Sequence, residues 1–200
     1  MDNRTVQRTL KNLGYASKKP IRKPIMSEKQ VNARYNWCIQ NRKRNWGNVV
    51  FSDESTFQLT RNTIKAWCKN KRIIKPIAKH CVRLHVWGEF WSGGKLPIFI
   101  FKENMDSKCF QNILATNYLP FISQHPKQKF ILQMDNDPKH KSKSTQKFMQ
   151  DNKINLIDWP SNSPDLNPIE NVCELMENQI EKKTPRNEKE FMDNDKSNLE

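Results

Sequence analysis

Phe130-Ile131-Leu132-Gln133-Met134-Asp135-Asn136-Asp137-Pro138 is the stretch from which the fold can be read. Phe130, Ile131, Leu132 and Met134 make an apolar run of strand length, and the Asn-Asp-Pro that follows stops it. Asp135 is therefore expected at the strand's mouth. Farther on, Trp159-Pro160-Ser161-Asn162-Ser163-Pro164-Asp165-Leu166-Asn167-Pro168 holds three prolines. Each removes a backbone donor and fixes φ, so the run reads as an ordered turn. Asn167-Pro168 then reads as an N-cap and first helical position, with Ile169, Val172, Met176 and Ile180 recurring at helical spacing behind it. Glu170 falls in that helix's first turn. A carboxylate at a strand end and another in a nearby first turn can converge on a hard divalent cation, which prefers oxygen ligands. A third acid is wanted. The plainer reading is a solvated stripe, because Glu170, Glu174, Glu177 and Glu181 share one helical face, and periodicity alone favours it.

Composition narrows the class of partner. Two hundred residues, 36% hydrophobic and 28% charged, are enough for one main domain with a small appendage. The formal net charge of +14 points to a polyanion, DNA or RNA, ahead of a membrane surface. No signal peptide or transmembrane span is visible, and no membrane partner is expected. The five cysteines, Cys38, Cys68, Cys81, Cys109 and Cys173, are odd in number and contain no Cys-x-x-Cys pair. Neither a disulfide framework nor a zinc ribbon is indicated, and a reducing compartment fits. Cys68, His80, Cys81 and His85 are the one loose zinc-like grouping.

Toward the N-terminus, Asn3 to Gly14 reads as a short helix with Val6, Leu10 and Leu13 on one face and Gly14 closing its end. Arg4, Arg8 and Lys11 project from the other face. That geometry suits a helix laid on DNA, and it equally suits an ordinary surface helix. Lys18-Lys19-Pro20-Ile21-Arg22-Lys23-Pro24 is an extended basic linker able to follow a phosphate backbone and to serve in nuclear import. Ser27 with Gln30 forms a capping box for a helix to about Arg44, whose buried stripe is expected to be Val31, Tyr35 and Cys38. Asn48–Asp53, Arg83–Phe90 and Leu96–Phe101 should make an antiparallel meander, with Phe57–Thr60 beyond the first and a Gly93-Gly94 turn. A helix capped near Asp106 follows and buries Phe110, Ile113, Leu114, Tyr118 and Phe121. After the Asp135 strand come a helix at Ser144–Asp151 and a short strand at Ile154–Asp158.

Asp135-Asn136-Asp137-Pro138-Lys139-His140, Asp158-Trp159-Pro160 and Ser163-Pro164-Asp165-Leu166-Asn167-Pro168-Ile169-Glu170-Asn171 closely resemble blocks of the Tc/mariner superfamily of DDE transposases. Thirty-four residues separate Asp135 from Glu170, the spacing of the Tc branch. Val49-Val50-Phe51-Ser52-Asp53-Glu54-Ser55 is similar to that family's first catalytic strand, which would supply the third acid. Arg4-Thr5-Val6-Gln7-Arg8-Thr9-Leu10 looks like the recognition helix of its second helix-turn-helix. The resemblance runs from about Arg4 to Ile180.

It implies an α/β, ribonuclease H-like fold: a mixed five-stranded sheet flanked by helices, with a short helical N-terminal DNA-binding remnant. The implied division is 1–26 partial helix-turn-helix and basic linker, 27–47 connecting helix, 48–183 catalytic domain and 184–200 tail. In this fold the first and fourth strands are parallel neighbours, so Asp53 and Asp135 end side by side and the last helix brings Glu170 over them. The resemblance implies a catalytic and metal-binding triad of Asp53, Asp135 and Glu170 with two Mg2+ or Mn2+ ions. DNA contacts are expected from Arg4, Arg8, Lys11, Lys18, Lys19, Arg22, Lys23, Lys139 and His140. The partners would be double-stranded DNA, with transposon terminal repeats and a TA target, and a second copy in a homodimer. The work would be done in the nucleus.

There are departures from the family pattern. Cys173 stands where a Trp is usual, Lys102-Glu103-Asn104 replaces an Asp-Gly pair before Met105, and a glycine-rich turn between His80 and Val86 is missing. The basic helix and C-terminal helices of the family are replaced by Glu181-Lys182-Lys183-Thr184-Pro185 and the tail, so a copy truncated at both ends is expected. The leading function is a cut-and-paste transposase. The alternatives are an inactive remnant or domesticated DNA-binding protein and, less in keeping with the motifs, an RNA-directed nuclease of the same fold.

Overall fold

The computed structural model describes residues 2–16, 25–59, 83–183 and 189–191. Lys18, Lys19, Arg22 and Lys23 of the linker, and Cys68, His80 and Cys81, lie outside these described residues.

The meander forms as expected. Strand β1 (Val49–Gln58) pairs antiparallel with β2 (Arg83–Trp91), which pairs antiparallel with β3 (Gly94–Lys95) and β4 (Phe99–Phe101). Strand β5 (Ile131–Gln133) joins the free side of β1 in parallel, with Val49 opposite Ile131, Val50 opposite Leu132 and Phe51 opposite Gln133. The result is a mixed five-stranded sheet, in which β3, β2, β1 and β5 lie in that order.

Several expected boundaries move. The strands expected at Asn48–Asp53 and Phe57–Thr60 merge into one continuous β1, Val49–Gln58, because its eight-residue pairing with β2 carries through Ser55 and Thr56; Thr60 lies outside the described residues. The strand expected at Leu96–Phe101 shortens to β4, and Gly94–Lys95 pairs ahead of it as β3; Pro97 between the two has no N–H to give a ladder. The strand expected at Ile154–Asp158 reduces to a single parallel bridge between Leu132 and Leu156.

Helix α1 (Asn3–Asn12) ends as its sequence predicts: Gly14 takes a φ of +81° and Tyr15 N–H reaches back to the Leu10 carbonyl. It buries no residue. Helix α3 (Ser107–Ile113) is capped by Asp106, whose carboxylate accepts Cys109 N–H at 2.7 Å. It runs through a π turn at Leu114–Tyr118 into α4 (Leu119–Gln124), where Pro120 leaves a carbonyl unpaired in the α pattern. Helix α5 (Lys143–Asp151) starts on Ser142, and α6 (Ile169–Lys183) follows the proline-rich turn.

The sheet separates two apolar clusters. Val50, Trp87, Phe110, Ile113, Leu114, Tyr118, Leu132 and Met149 fill one side beneath α3 and α5. Phe57, Leu59, Leu84, Val86 and Phe191 form the second, with Met176 and Ile180 of α6 against it. Val172 and Leu175 on α6 stay exposed.

The connecting helix α2 (Glu28–Asn41) carries the expected capping box, Ser27 N–H to Gln30 Oε1 at 2.9 Å and Gln30 N–H to Ser27 Oγ at 3.4 Å. Its packing face is not the expected one. Val31, Tyr35 and Cys38 are exposed, Tyr35 at 66%, and the inward face is Gln30, Arg34, Trp37 and Asn41. The physical reason is the surface it meets. The turn from Asp158 to Asp165 offers a carbonyl, a carboxylate and an indole face, which reward a Trp and an Arg more than an aliphatic stripe. Trp37 donates its indole N–H to the Asp158 carbonyl and meets Trp159 edge-on at 4.8 Å between centroids. Trp37→Ala should therefore cost about 2 kcal/mol in a denaturant titration, whereas Tyr35→Ala should stay within about 0.5 kcal/mol. Equal losses would contradict this packing.

Candidate active site

The parallel register of β1 and β5 carries both chains past their last paired residues to one edge. Asp53 lies two residues beyond Phe51, and Asp135 two beyond its partner Gln133. A polar seam under them sets their height. Ser52 Oγ donates to the Gln133 carbonyl, and Ser52 N–H donates to Gln133 Oε1 at 3.2 Å. Both residues are buried.

The proline-rich turn brings the third acid over this edge. Asn167, itself buried, accepts Ile169 N–H at Oδ1 at 3.4 Å, as an N-cap does. With Nδ2 it donates to Asp53 Oδ2 at 3.2 Å and to the Ser52 carbonyl at 3.4 Å. One side chain thus ties the start of α6 to the middle of β1, where its pairing with β5 stops. Asp53, Asp135 and Glu170 line a common cavity of about 520 Å³, with Asn136, Trp159 and Asn167 among its walls. Among the described residues, no three acidic, histidine or cysteine side chains stand close enough together to hold a metal ion as they are placed. One carboxylate oxygen of Asp135 is already engaged, by Asp137 N–H at 3.1 Å and His140 Nδ1 at 2.7 Å.

The three acids differ electrostatically. Burial pushes Asp53 up to about 7; the N–H of Glu54 opposes this, while Glu170 and Asp135 add to it. Burial also raises Glu170. Asp135 is pushed up by burial too, but the His140 hydrogen bond, Asp137 N–H and the charges of His140 and Lys139 outweigh that and hold it below the usual range.

Lys139 and His140, expected at DNA phosphates, are placed otherwise. His140 is 3% exposed, with its ring 4.2 Å from that of Phe110 and 5.6 Å from that of Trp87. It orients Asp135 from the core. Lys139 Nζ lies 2.9 Å from Glu54 and 3.0 Å from Asp137, so its charge is spent on neighbouring acids. Asp137 caps the local turn, accepting Lys139 N–H at 2.9 Å. Arg4, Arg8 and Lys11 are exposed along α1. His85, the described member of the zinc-like grouping, bonds Thr56 at 2.9 Å and stacks on Phe101.

Sequence reasoning took Asn167 only as a cap and missed Gln133 and Arg34. Arg34 makes a two-pronged bridge to Asp165, at 2.9 and 2.6 Å, and donates to the Asn162 carbonyl at 3.1 Å. It also missed Glu89, a carboxyl on β2 opposite Ser52.

Comparison with known proteins agrees with this architecture. A sequence model of the DDE superfamily endonucleases matches residues 48–192. The Tc1 transposable-element transposase of Caenorhabditis elegans is 34% identical over 188 residues, spanning 88% of this chain and 69% of that protein. The Mos1 transposase catalytic domain, solved with Raltegravir and Mn, superposes with a TM-score of 0.70 at 15% identity, covering 88% of this chain and 84% of that one. The Mos1 paired-end complex with the left transposon end gives 0.69 at 17% identity, covering 86% of this chain and 56% of that one. The chain thus spans little more than half of the Mos1 chain in that complex. At such identities the two structures speak for the fold.

Glu89 gives the fold a pH signature. Its side chain is buried, neither oxygen completes a hydrogen bond among the described residues, and the Trp87 indole N–H, likewise without a partner among them, is the nearby donor. Burial pushes its pKa from 4.5 to about 7. The folded chain therefore holds this proton more tightly than the unfolded chain, so the stability it lends is full below pH 4.5 and is lost as pH rises through about 7. The loss should be about 3 kcal/mol in denaturant titrations at a series of pH values, and Glu89→Gln should remove that part of the slope. An unchanged slope in Glu89→Gln would refute the assignment.

Proposed function

The chain belongs to the DDE superfamily of endonucleases, among its Tc1-like transposases, and from that membership we propose that it cuts and joins DNA at the ends of a transposable element by metal-dependent phosphoryl transfer. The observation that carries this reading is the convergence of Asp53 and Asp135, beyond paired parallel strands, with Glu170 on one cavity.

The donor set suits a hard divalent cation. Three carboxylates gather at one mouth, and the charge on Asp53 is disfavoured by burial and by its acidic neighbours, a penalty that a cation relieves. Asp53, Asp135 and Glu170 would hold Mg2+ or Mn2+, two ions in this proposal. Bound there, the metal would supply the positive charge that phosphoryl transfer needs. The chain's own groups prepare that chemistry. Asn167 fixes one oxygen of Asp53, and His140 fixes one oxygen of Asp135. Lys139 neutralises Glu54 and Asp137, which keeps two further acids from competing for the cation.

The substrate in this reading is double-stranded DNA with terminal repeats and a TA target, and the working form is a homodimer in the nucleus. Arg4, Arg8 and Lys11 of α1, with the basic linker, would follow the phosphate backbone.

Mg2+ or Mn2+ at a hundred times its Kd should stabilise the folded chain by about 2.7 kcal/mol, a rise in Tm of about 5–10 °C. Asp135→Asn keeps an acceptor for His140, so it should fold, yet lose the Tm rise and all nicking of DNA. No metal response in the parent, with a more stable Asp135→Asn, would leave a DNA-binding protein without this chemistry.

DNA affinity should fall by about 0.9 log units per log unit of salt for each phosphate neutralised, in both parent and Asp135→Asn. A salt-independent affinity in filter binding would contradict the phosphate-contact reading.

A further inference from the structure

We infer that Arg34 is a positioning residue through which the connecting helix α2 sets the carboxylate site; this rests on the reading of that site as metal-dependent. Arg34 touches none of the three acids. It holds the turn that delivers one of them and steadies another. Its guanidinium meets both oxygens of Asp165 and the carbonyl of Asn162. Asn162 has a φ of +53°, a left-handed conformation that an Asn tolerates but does not strongly prefer. The bond to its carbonyl therefore pins a reversal in the chain. Three residues after Asn162, Asp165 sits in the single 3₁₀ turn Pro164–Leu166, and its C-cap is Asn167. Asn167 is the side chain that binds Asp53 and caps α6, in whose first turn Glu170 lies.

The path from α2 to the acids is thus short and polar: Arg34 to Asp165, one rigid turn to Asn167, then Asn167 to Asp53 and to the helix that carries Glu170. A parallel path reinforces it. Trp37, one turn along α2, donates to the Asp158 carbonyl and packs on Trp159, whose own carbonyl accepts the Asn136 side chain at 2.8 Å, next to Asp135. Both ends of the proline-rich turn are therefore fastened to one helix. The Arg34 side chain is 15% exposed although its partner Asp165 is 64% exposed. The cation end is shielded, and the two-pronged geometry resists rotation better than a lysine could. Because α2 is the element that the basic linker leads into, a pull or twist on it would reach Asp53 and Glu170 through these bonds.

Calorimetric titration of the full chain with Mn2+ alone tests this, beside amide exchange at the first turn of α6. Arg34→Ala should weaken Mn2+ binding by about five-fold, as expected from losing one well-formed surface pair, and should speed exchange at Glu170 and Asn171. Arg34→Lys should recover little of either. Arg34→Asp combined with Asp165→Arg should recover much of both. If the parent binds Mn2+ and Arg34→Ala binds it equally well, the bridge is only structural and the inference fails while the proposed function stands. If the parent binds no Mn2+, the proposed function fails. The exchange data then decide separately: faster exchange at Glu170 in Arg34→Ala upholds the brace, and unchanged exchange overturns it.

Discussion

The parallel pairing of β1 with β5 is the constraint on which the rest of the site depends. An antiparallel neighbour would carry the next acid to the opposite edge of the sheet. A parallel one brings Asp53 and Asp135 out together, at the same height, because Phe51 is opposite Gln133 and each acid lies two residues on. Strand spacing of about 4.8 Å then fixes how far apart the two main chains can be. Parallel pairing needs a crossover, and the π-containing helix from Ser107 to Gln124 supplies it across the large apolar cluster. The chemistry at the edge therefore rests on the burial of Phe110, Ile113, Leu114 and Tyr118 on one face.

Polar groups inside the sheet refine what the backbone sets. Ser52 donates two hydrogen bonds to Gln133 within buried surroundings, where an unpaired group is costly, so a one-residue slip of β5 would strand both. Gln133 Nε2 and His140 Nε2 meet no partner among the described residues. These two nitrogens belong to the residues that flank Asp135 in sequence and bound its position from below.

Much of this was legible from the residues. The Asp135 strand, the proline turn, the Asn167 cap and the meander all follow from apolar runs, donor loss at proline and glycine turns, and the structure has them within a few residues. What periodicity could not supply was the meeting of distant parts. It favoured a solvated acidic stripe for Glu170 and Glu174, and both are indeed exposed; only topology sets Glu170 against Asp53. The face of α2 was misread for a related reason. Val31, Tyr35 and Cys38 look like a buried stripe when the partner surface is assumed apolar, but the surface on offer is a proline turn rich in carbonyls and an acid. The burial of His140 was equally out of reach, since its ring is enclosed by Phe110 and Trp87, 30 and 53 residues away in sequence.

Asn167 carries a consequence for how this chain can vary. Its amide must give a proton to Asp53 and to the Ser52 carbonyl while its oxygen receives one from Ile169. Aspartate caps a helix as well, yet it would set a further negative charge against Asp53 and has no N–H to give. Serine caps, but it is too short to span both neighbours, and glutamine reaches farther at the cost of the cap geometry. The position therefore admits essentially one residue type, for reasons of donor count and length together. Trp159 and Asp165, whose side chains are bound to α2, are the other fixed points of the turn, and its room to vary lies between them.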